Sequence, residues 1–161
     1  MADAIYPGAF DPVHNGHLDI VKRASKLFDR LLVGVYEVPP KALLFSTKER
    51  VELFKESVED IPNVDVVPFK ELTVKFARRV GAQFIIRGLR AGFDFENEFG
   101  MALMWRSLDS DVDVVCMMSN LQYQFVYSSR IKEVAKLGGD IGELVPPQVD
   151  VNLKAKFKAV Y

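Results

Sequence analysis

The sequence predicts an α/β protein built on a doubly wound, five-stranded parallel sheet flanked by helices. Two observations carry this expectation. Short β-branched and apolar runs alternate with stretches whose apolar residues recur every three to four positions, the mark of successive strand–helix units. Each run is also followed by a polar or glycine-containing segment, as expected where parallel strands end in ligand-binding loops. The 161 residues suit one domain, so residues 1–161 are read as a single domain.

Ala4-Ile5-Tyr6 reads as the first strand, ended by Pro7-Gly8. Gly16 to Phe28 reads as a helix, with Leu18, Val21, Ala24 and Phe28 along one side. Leu31 to Tyr36 is a buried strand, and Pro39-Pro40-Lys41 forces a loop because proline supplies no ladder donor. Ser46 and Glu49 form a capping-box pair that opens a helix running to about Glu59. Val64 to Val67 is the third strand, and Thr73 to Val80 a helix stopped by Gly81. Phe84-Ile85-Ile86 leads into Arg87-Gly88, and Phe93 to Leu108 is the longest helix. Val112 to Met118 is the fifth strand, and Ser128 to Leu137 a helix ending at Gly138-Gly139. Pro147 to about Ala159 is helical, with proline in its first turn. Such a Rossmann-like sheet binds ligands at the carboxyl ends of its strands. The loops at 7–17, 38–46, 68–73, 87–98 and 119–129 are therefore where chemistry is expected.

Composition narrows the partners. Hydrophobic residues at 49% and charged residues at 27% are globular rather than disordered values. Twenty-one Lys and Arg oppose 22 Asp and Glu, a balance that argues against a nucleic-acid platform but not against a small anion. The single cysteine, Cys116, permits no internal disulfide and no Cys-rich metal site. Within Val114-Val115-Cys116-Met117-Met118 it is expected to be a small buried hydrophobe. Met1-Ala2-Asp3-Ala4 lacks a signal-peptide pattern, and no apolar run approaches the ~20 residues that span a bilayer. The expectation is a soluble cytoplasmic protein with no membrane partner.

Tyr6-Pro7-Gly8-Ala9-Phe10-Asp11-Pro12-Val13-His14-Asn15-Gly16-His17 is the most informative stretch. It contains neither the dinucleotide fingerprint nor the P-loop pattern. A helix N-terminus there offers unpaired N–H groups and partial positive charge to phosphate. His14 and His17, three apart, lie on one side of that helix start, and Gly16 permits close approach to the backbone. Two other readings remain open. The histidines could be a structural pair, or they could be two zinc ligands, with Asp11 the nearest third candidate.

His-x-Gly-His after a first strand is the hallmark of the nucleotidyltransferase superfamily, and the wider pattern resembles the phosphopantetheine adenylyltransferase family. Tyr6-Pro7-Gly8-x-Phe10-Asp11-Pro12, Lys41, Arg87-Gly88-Leu89-Arg90-Ala91, Asp94-Phe95-Glu96-x-Glu98, Ser128-Ser129 and Lys132-Glu133 occur in order at matching spacing, over roughly residues 5–135. The Arg-Gly-Leu-Arg…Asp-Phe-Glu-x-Glu segment is the most specific part. The resemblance implies adenylyl transfer from ATP to 4′-phosphopantetheine, giving dephospho-CoA and pyrophosphate. It also implies a homohexamer, and Mg²⁺ bound with ATP rather than by a carboxylate cluster.

The resemblance assigns roles residue by residue. His17, Lys41 and Arg90 form the catalytic set, with His17 on the α-phosphate. ATP is met by Ala9, Phe10, His17, Gly88, Leu89, Arg90 and Glu98, the last through the ribose. Tyr123, Gln124, Phe125, Val126, Tyr127, Ser128 and Ser129 close over the nucleotide. The acceptor is met by Ala9, Lys41, Thr73 and Arg87. Asp94 and Glu96 position the basic loop. Relatives usually carry Ser or Thr where Ala9 stands, often a third serine where Tyr127 stands, and commonly an apolar residue at Thr73. Read without the resemblance, Lys41 and Glu98 are solvated charges, Thr73 is a helix cap, and Phe93, Phe95, Phe99 and Trp105 are core or subunit packing. A transferase for nicotinate mononucleotide or a phosphorylated polyol, and a non-catalytic nucleotide-binding module favoured only by Ala9, are the competing functions.

Overall fold

The computed structural model describes residues 2–158, without the side chain of Phe93. Chain order is β1 (Asp3–Gly8), α1 (Asn15–Ala24), β2 (Arg30–Tyr36), α2 (Thr47–Ser57), β3 (Val64–Phe69), α3 (Thr73–Val80), β4 (Phe84–Leu89), α4 (Gly92–Leu108), β5 (Asp113–Met118), α5 (Ser128–Lys136) and α6 (Pro147–Lys158). Ala159, the expected end of the last helix, lies outside the described residues. The strands are parallel and ordered β3-β2-β1-β4-β5. This is the doubly wound arrangement, with its switch point between β1 and β4.

Strand alternation builds the two faces. Ala4 and Tyr6 of β1 and Leu31, Val33 and Val35 of β2 enter a core with Ile20, Phe54, Ile131 and Leu153. Ile5 and Leu32 point the other way, against Val74, Phe76, Ile85 and Trp105. Helices α1, α2, α5 and α6 thus cover one face and α3 and α4 the other.

Several boundaries differ from the sequence expectation for identifiable reasons. α1 stops at Ala24, a turn before Phe28, and the Asn63 side-chain amide donates to the carbonyls of Ser25 and Phe28. β3 continues through Pro68 because it is an edge strand, where a missing ladder donor costs little. Thr73 is the first residue of α3 rather than its cap, and Leu72 holds the cap position without a side-chain bond. β4 extends to Leu89, so Arg87 projects from a strand rather than a loop. Cys116 is exposed, contrary to expectation, because β5 is the other edge strand. Trp105 is buried, but Phe95 and Phe99 are about half exposed and stack on each other instead of entering the core. Phe93's side chain lies outside the described residues.

β1 and β4 pair only at Ala4↔Phe84 and Ile5↔Ile85. β1 stays paired with β2 as far as Gly8↔Val35. The divergence of β1 from β4 beyond Ile5 opens the crevice that holds the candidate site.

Candidate active site

At that crevice lies a cavity of about 490 Å³, within the usual range for a small-molecule site. Its lining includes Ala9, Phe10, His17, Lys41, Arg87, Gly88, Arg90, Glu98, Tyr123, Tyr127, Ser128 and Ser129, all singled out from the sequence. Leu89, Thr73, Gln124, Phe125 and Val126 do not line it. Leu89 and Val126 are core residues, Phe125 is exposed, and Thr73 belongs to the start of α3 after the third strand.

The first-strand loop is shaped by one aromatic ring. Phe10 adopts a positive φ of 49°, unfavourable for a residue with a side chain. Its ring folds over Gly8 so closely that a Cβ there would fall 2.7 Å from it. The ring then meets His17 edge-on at 4.9 Å and Phe54 at 4.7 Å. Phe10 is therefore buried scaffold, and only its backbone can face a ligand. Arg50, fully buried, donates to the Ala9 carbonyl at 2.6 Å, the Tyr36 carbonyl at 2.8 Å and Thr47 Oγ1 at 3.0 Å. It ties the loop to the end of β2 and the start of α2.

His14 and His17 cap α1 reciprocally. The His17 N–H donates to His14 Nδ1 at 3.3 Å, and the His14 N–H donates to His17 Nδ1 at 3.2 Å. The rings stack with centroids 3.6 Å apart. Both Nδ1 atoms are thus acceptors facing each other's backbone, not a pair converging on a metal. Asp11 is also committed, accepting from Phe45 N–H at 2.9 Å, Leu44 N–H and Lys132 Nζ at 2.6 Å. Burial, reinforced by the Arg90 charge, pushes the His14 imidazole down to about 3. Burial first, then His14 and the cations Arg90, Lys41 and Arg87, hold His17 well below its ordinary value. Both rings are neutral near pH 7. With Nδ1 accepting, the ring proton of His17 sits on Nε2, a tautomer assigned from its hydrogen-bond partner.

The helix start is less open than the sequence suggests. Asn15 N–H donates to the Leu144 carbonyl and His17 N–H to His14. A Cβ at Gly16 would come within 3.1 Å of the His14 ring and 3.3 Å of Tyr123 Cβ. The glycine is needed there for protein packing. α5 supplies the second helix start, and its cap residue Tyr127 makes no side-chain capping bond. Ser128 Oγ donates to the Pro12 carbonyl at 2.8 Å, fastening α5 to the first loop.

Besides Lys132, already paired with Asp11, three cations line the cavity: Arg87 on β4, Arg90 just after it and Lys41 in the loop before α2. Arg87 crosses the split between strands, donating to the Pro7 carbonyl at 3.1 Å. Glu98 receives its Nε and Nη2 at 2.6 and 2.7 Å. Burial alone would weaken Arg87's hold on its proton, but the bonds and charge of Glu98 more than offset it. Glu98, placed on the ribose by sequence resemblance, is a two-pronged partner of Arg87 here. Asp94 binds Arg90 through its backbone N–H at 3.0 Å and Nε at 2.9 Å. Glu96, given the same role from sequence, is exposed. Lys41 reaches the rim from the exposed loop before α2. That loop is held where Asp11 takes the amides of Leu44 and Phe45.

Sequence reasoning gave no site role to Lys132 or Arg50, and to Asp11 only that of a candidate third zinc ligand. Asp11 and Lys132 lay inside quoted motifs, but nothing in one sequence says that they pair across 121 positions. Arg50 directly follows the capping-box residue Glu49, and nothing in that spacing marks it for burial.

A family model for cytidylyltransferase-like proteins matches residues 5–134. A phosphopantetheine adenylyltransferase of Thermomicrobium roseum is 52% identical over 98% of this chain and 96% of its own. One of Clostridium kluyveri is 49% identical over the whole chain and 98% of its own. A solved structure from Vibrio parahaemolyticus, provisionally named a nicotinate-nucleotide adenylyltransferase, superposes with a TM-score of 0.67 at 19% identity. It covers 96% of this chain and 99% of that one, and shows the shared fold. The full-length identity and the ordered motifs together establish that this chain belongs to the phosphopantetheine adenylyltransferases of the cytidylyltransferase-like family.

Proposed function

We propose that the protein, acting as a single nucleotidyltransferase domain in the cytoplasm, transfers the adenylyl group of ATP to 4′-phosphopantetheine. A terminal phosphate oxygen of the acceptor attacks the α-phosphorus. A new O–P bond forms, the α–β bridging bond breaks, and pyrophosphate leaves with dephospho-CoA as the other product. The acceptor phosphate is substantially ionised near neutral pH, so no general base is required. Catalysis reduces to positioning and charge stabilisation.

The observation that carries this reading is the gathering at one cavity of His17, whose Nδ1 accepts from the His14 N–H so that Nε2 carries the ring proton, with Lys41, Arg87 and Arg90, while the fourth lining cation, Lys132, is paired with Asp11. His17 donates to the α-phosphate oxygen as charge builds there. Arg90, with the open start of α5, takes the rest of the ATP phosphates. Lys41 and Arg87 take the acceptor phosphate, Lys41 as a movable point charge and Arg87 as a planar fork. Glu98 sets the orientation of that fork. Ala9, Phe10, Gly88 and Ser129 contribute close backbone or hydroxyl contacts. ATP enters with Mg²⁺ held by its phosphates and water; among the described residues no three His, Cys, Asp or Glu side chains gather.

The half-exposed Phe95, Phe99, Leu103 and Met104 of α4 and Met118 of β5 support self-association, and the homohexamer rests on the family resemblance. Release of pyrophosphate, coupled to a chromogenic enzyme, tests the acceptor. Turnover with 4′-phosphopantetheine and none with nicotinate mononucleotide is expected; the reverse overturns the proposal.

A further inference from the structure

Tyr127 sits at the start of α5 on the cavity wall. Its ring is met by two guanidinium groups. The Arg90 guanidinium carbon lies 3.8 Å from the ring centroid and that of Arg130 4.4 Å. Arg90 is mostly sheltered and held at its Nε and Nη2 by Asp94, at 2.9 and 3.3 Å. The carboxylate restrains the guanidinium in its own plane but leaves its flat faces free. An aromatic ring at 3.8 Å restrains one of those faces, at the distance of a cation–π contact. Arg130, exposed and donating to the Phe125 carbonyl at 3.3 Å, brings a second cation to the same ring at the rim.

We infer that Tyr127 is a positioning residue for ATP recognition: its ring, with Asp94, locks the Arg90 guanidinium in the orientation that meets the triphosphate. This rests on the nucleotide reading of the cavity. The phenol hydroxyl has no hydrogen-bond partner among the described residues, so the ring carries the effect. A serine at this position could not stack on Arg90.

The test compares Tyr127→Phe, Tyr127→Leu and Tyr127→Ser by calorimetric binding of MgATP and by steady-state kinetics. Leu and Ser variants should bind ATP about fivefold more weakly, the equivalent of about 1 kcal/mol for a partly sheltered cation–π contact. The KM for ATP should rise alike, and by a larger factor than any change in kcat or in the KM for 4′-phosphopantetheine. Tyr127→Phe should keep ATP affinity within about twofold. In an Arg90→Ala background the Tyr127→Leu loss should disappear, since its only route is through Arg90. Equal damage from Phe and Leu would place the effect in the hydroxyl. Undiminished affinity in Leu, or a loss that persists without Arg90, would overturn the inference. Wild-type protein that binds ATP but does not turn over 4′-phosphopantetheine would remove the acceptor assignment while leaving the affinity comparison decisive. Wild-type protein that binds no ATP would overturn both.

Discussion

Replacing His17 with alanine separates binding from chemistry at this site. The native ring is neutral, with Nδ1 committed to the His14 backbone and Nε2–H left for the ligand. If that proton is donated to an oxygen gaining charge in the transition state, its loss lowers kcat by about 10²–10³, or about 2.7–4 kcal/mol. ATP should still bind within about threefold, because Arg90 and the start of α5 remain. The same substitution breaks the reciprocal cap of α1, which costs about 1 kcal/mol. In a chain of this size that lowers Tm by about 2–4 °C, too little to unfold the protein at 25 °C. Single-turnover quench measurements at saturating substrates, with calorimetric ATP titration alongside, read both quantities. A kcat within tenfold of wild type, or ATP affinity falling by the same factor as the rate, would refute the assigned role.

The remaining predictions probe the supports of the site. His14 titrates at about 3 when folded against its ordinary 6.5. The stability from keeping it neutral is therefore full above pH 6.5 and lost as pH falls toward 3, at about 1.4 kcal/mol per pH unit. His17, held down in the same way, adds to this slope, so urea unfolding should show stability falling from pH 6.5 to 5 by more than one group's share, with His14→Asn removing part of it; a flat profile contradicts it. Arg87→Lys should raise the KM for 4′-phosphopantetheine about tenfold while leaving that for ATP nearly unchanged, since only the fork satisfies both Glu98 and a phosphate. Asp94→Asn should weaken ATP binding severalfold and Glu96→Gln should not, because only Asp94 reaches Arg90. Light scattering should give the wild type a mass above that of one chain, and Phe99→Glu should lower it; equal masses contradict association through α4.

The fold was readable from the sequence because strand runs and helix periods alternate without interruption, and the strand order β3-β2-β1-β4-β5 is the natural doubly wound outcome. What escaped was set by position in the sheet. Cys116 looks like core in its apolar run, and only the edge placement of β5 exposes it. Pro68 looks like a strand terminator, and only the edge placement of β3 keeps it in the ladder. In the site, the clustering of His17, Lys41, Arg87 and Arg90 follows from loop order on a parallel sheet. Their partners do not. That Glu98 serves Arg87, that Asp11 binds Lys132 and that Arg50 holds the Ala9 carbonyl are facts of packing across 11 to 121 positions. The reciprocal capping of His14 and His17 lay within reach, because a side-chain acceptor at the cap and a second three residues later is the capping-box spacing. Histidine is simply an unusual choice for both places.

The central claim concerns what leaves the cavity. Mass spectrometry of a reaction containing ATP, Mg²⁺, 4′-phosphopantetheine and nicotinate mononucleotide in equal amounts tests it most directly. The account predicts dephospho-CoA and pyrophosphate in equal yield, with nicotinate mononucleotide untouched. Adenylylated nicotinate mononucleotide with 4′-phosphopantetheine recovered intact would contradict it.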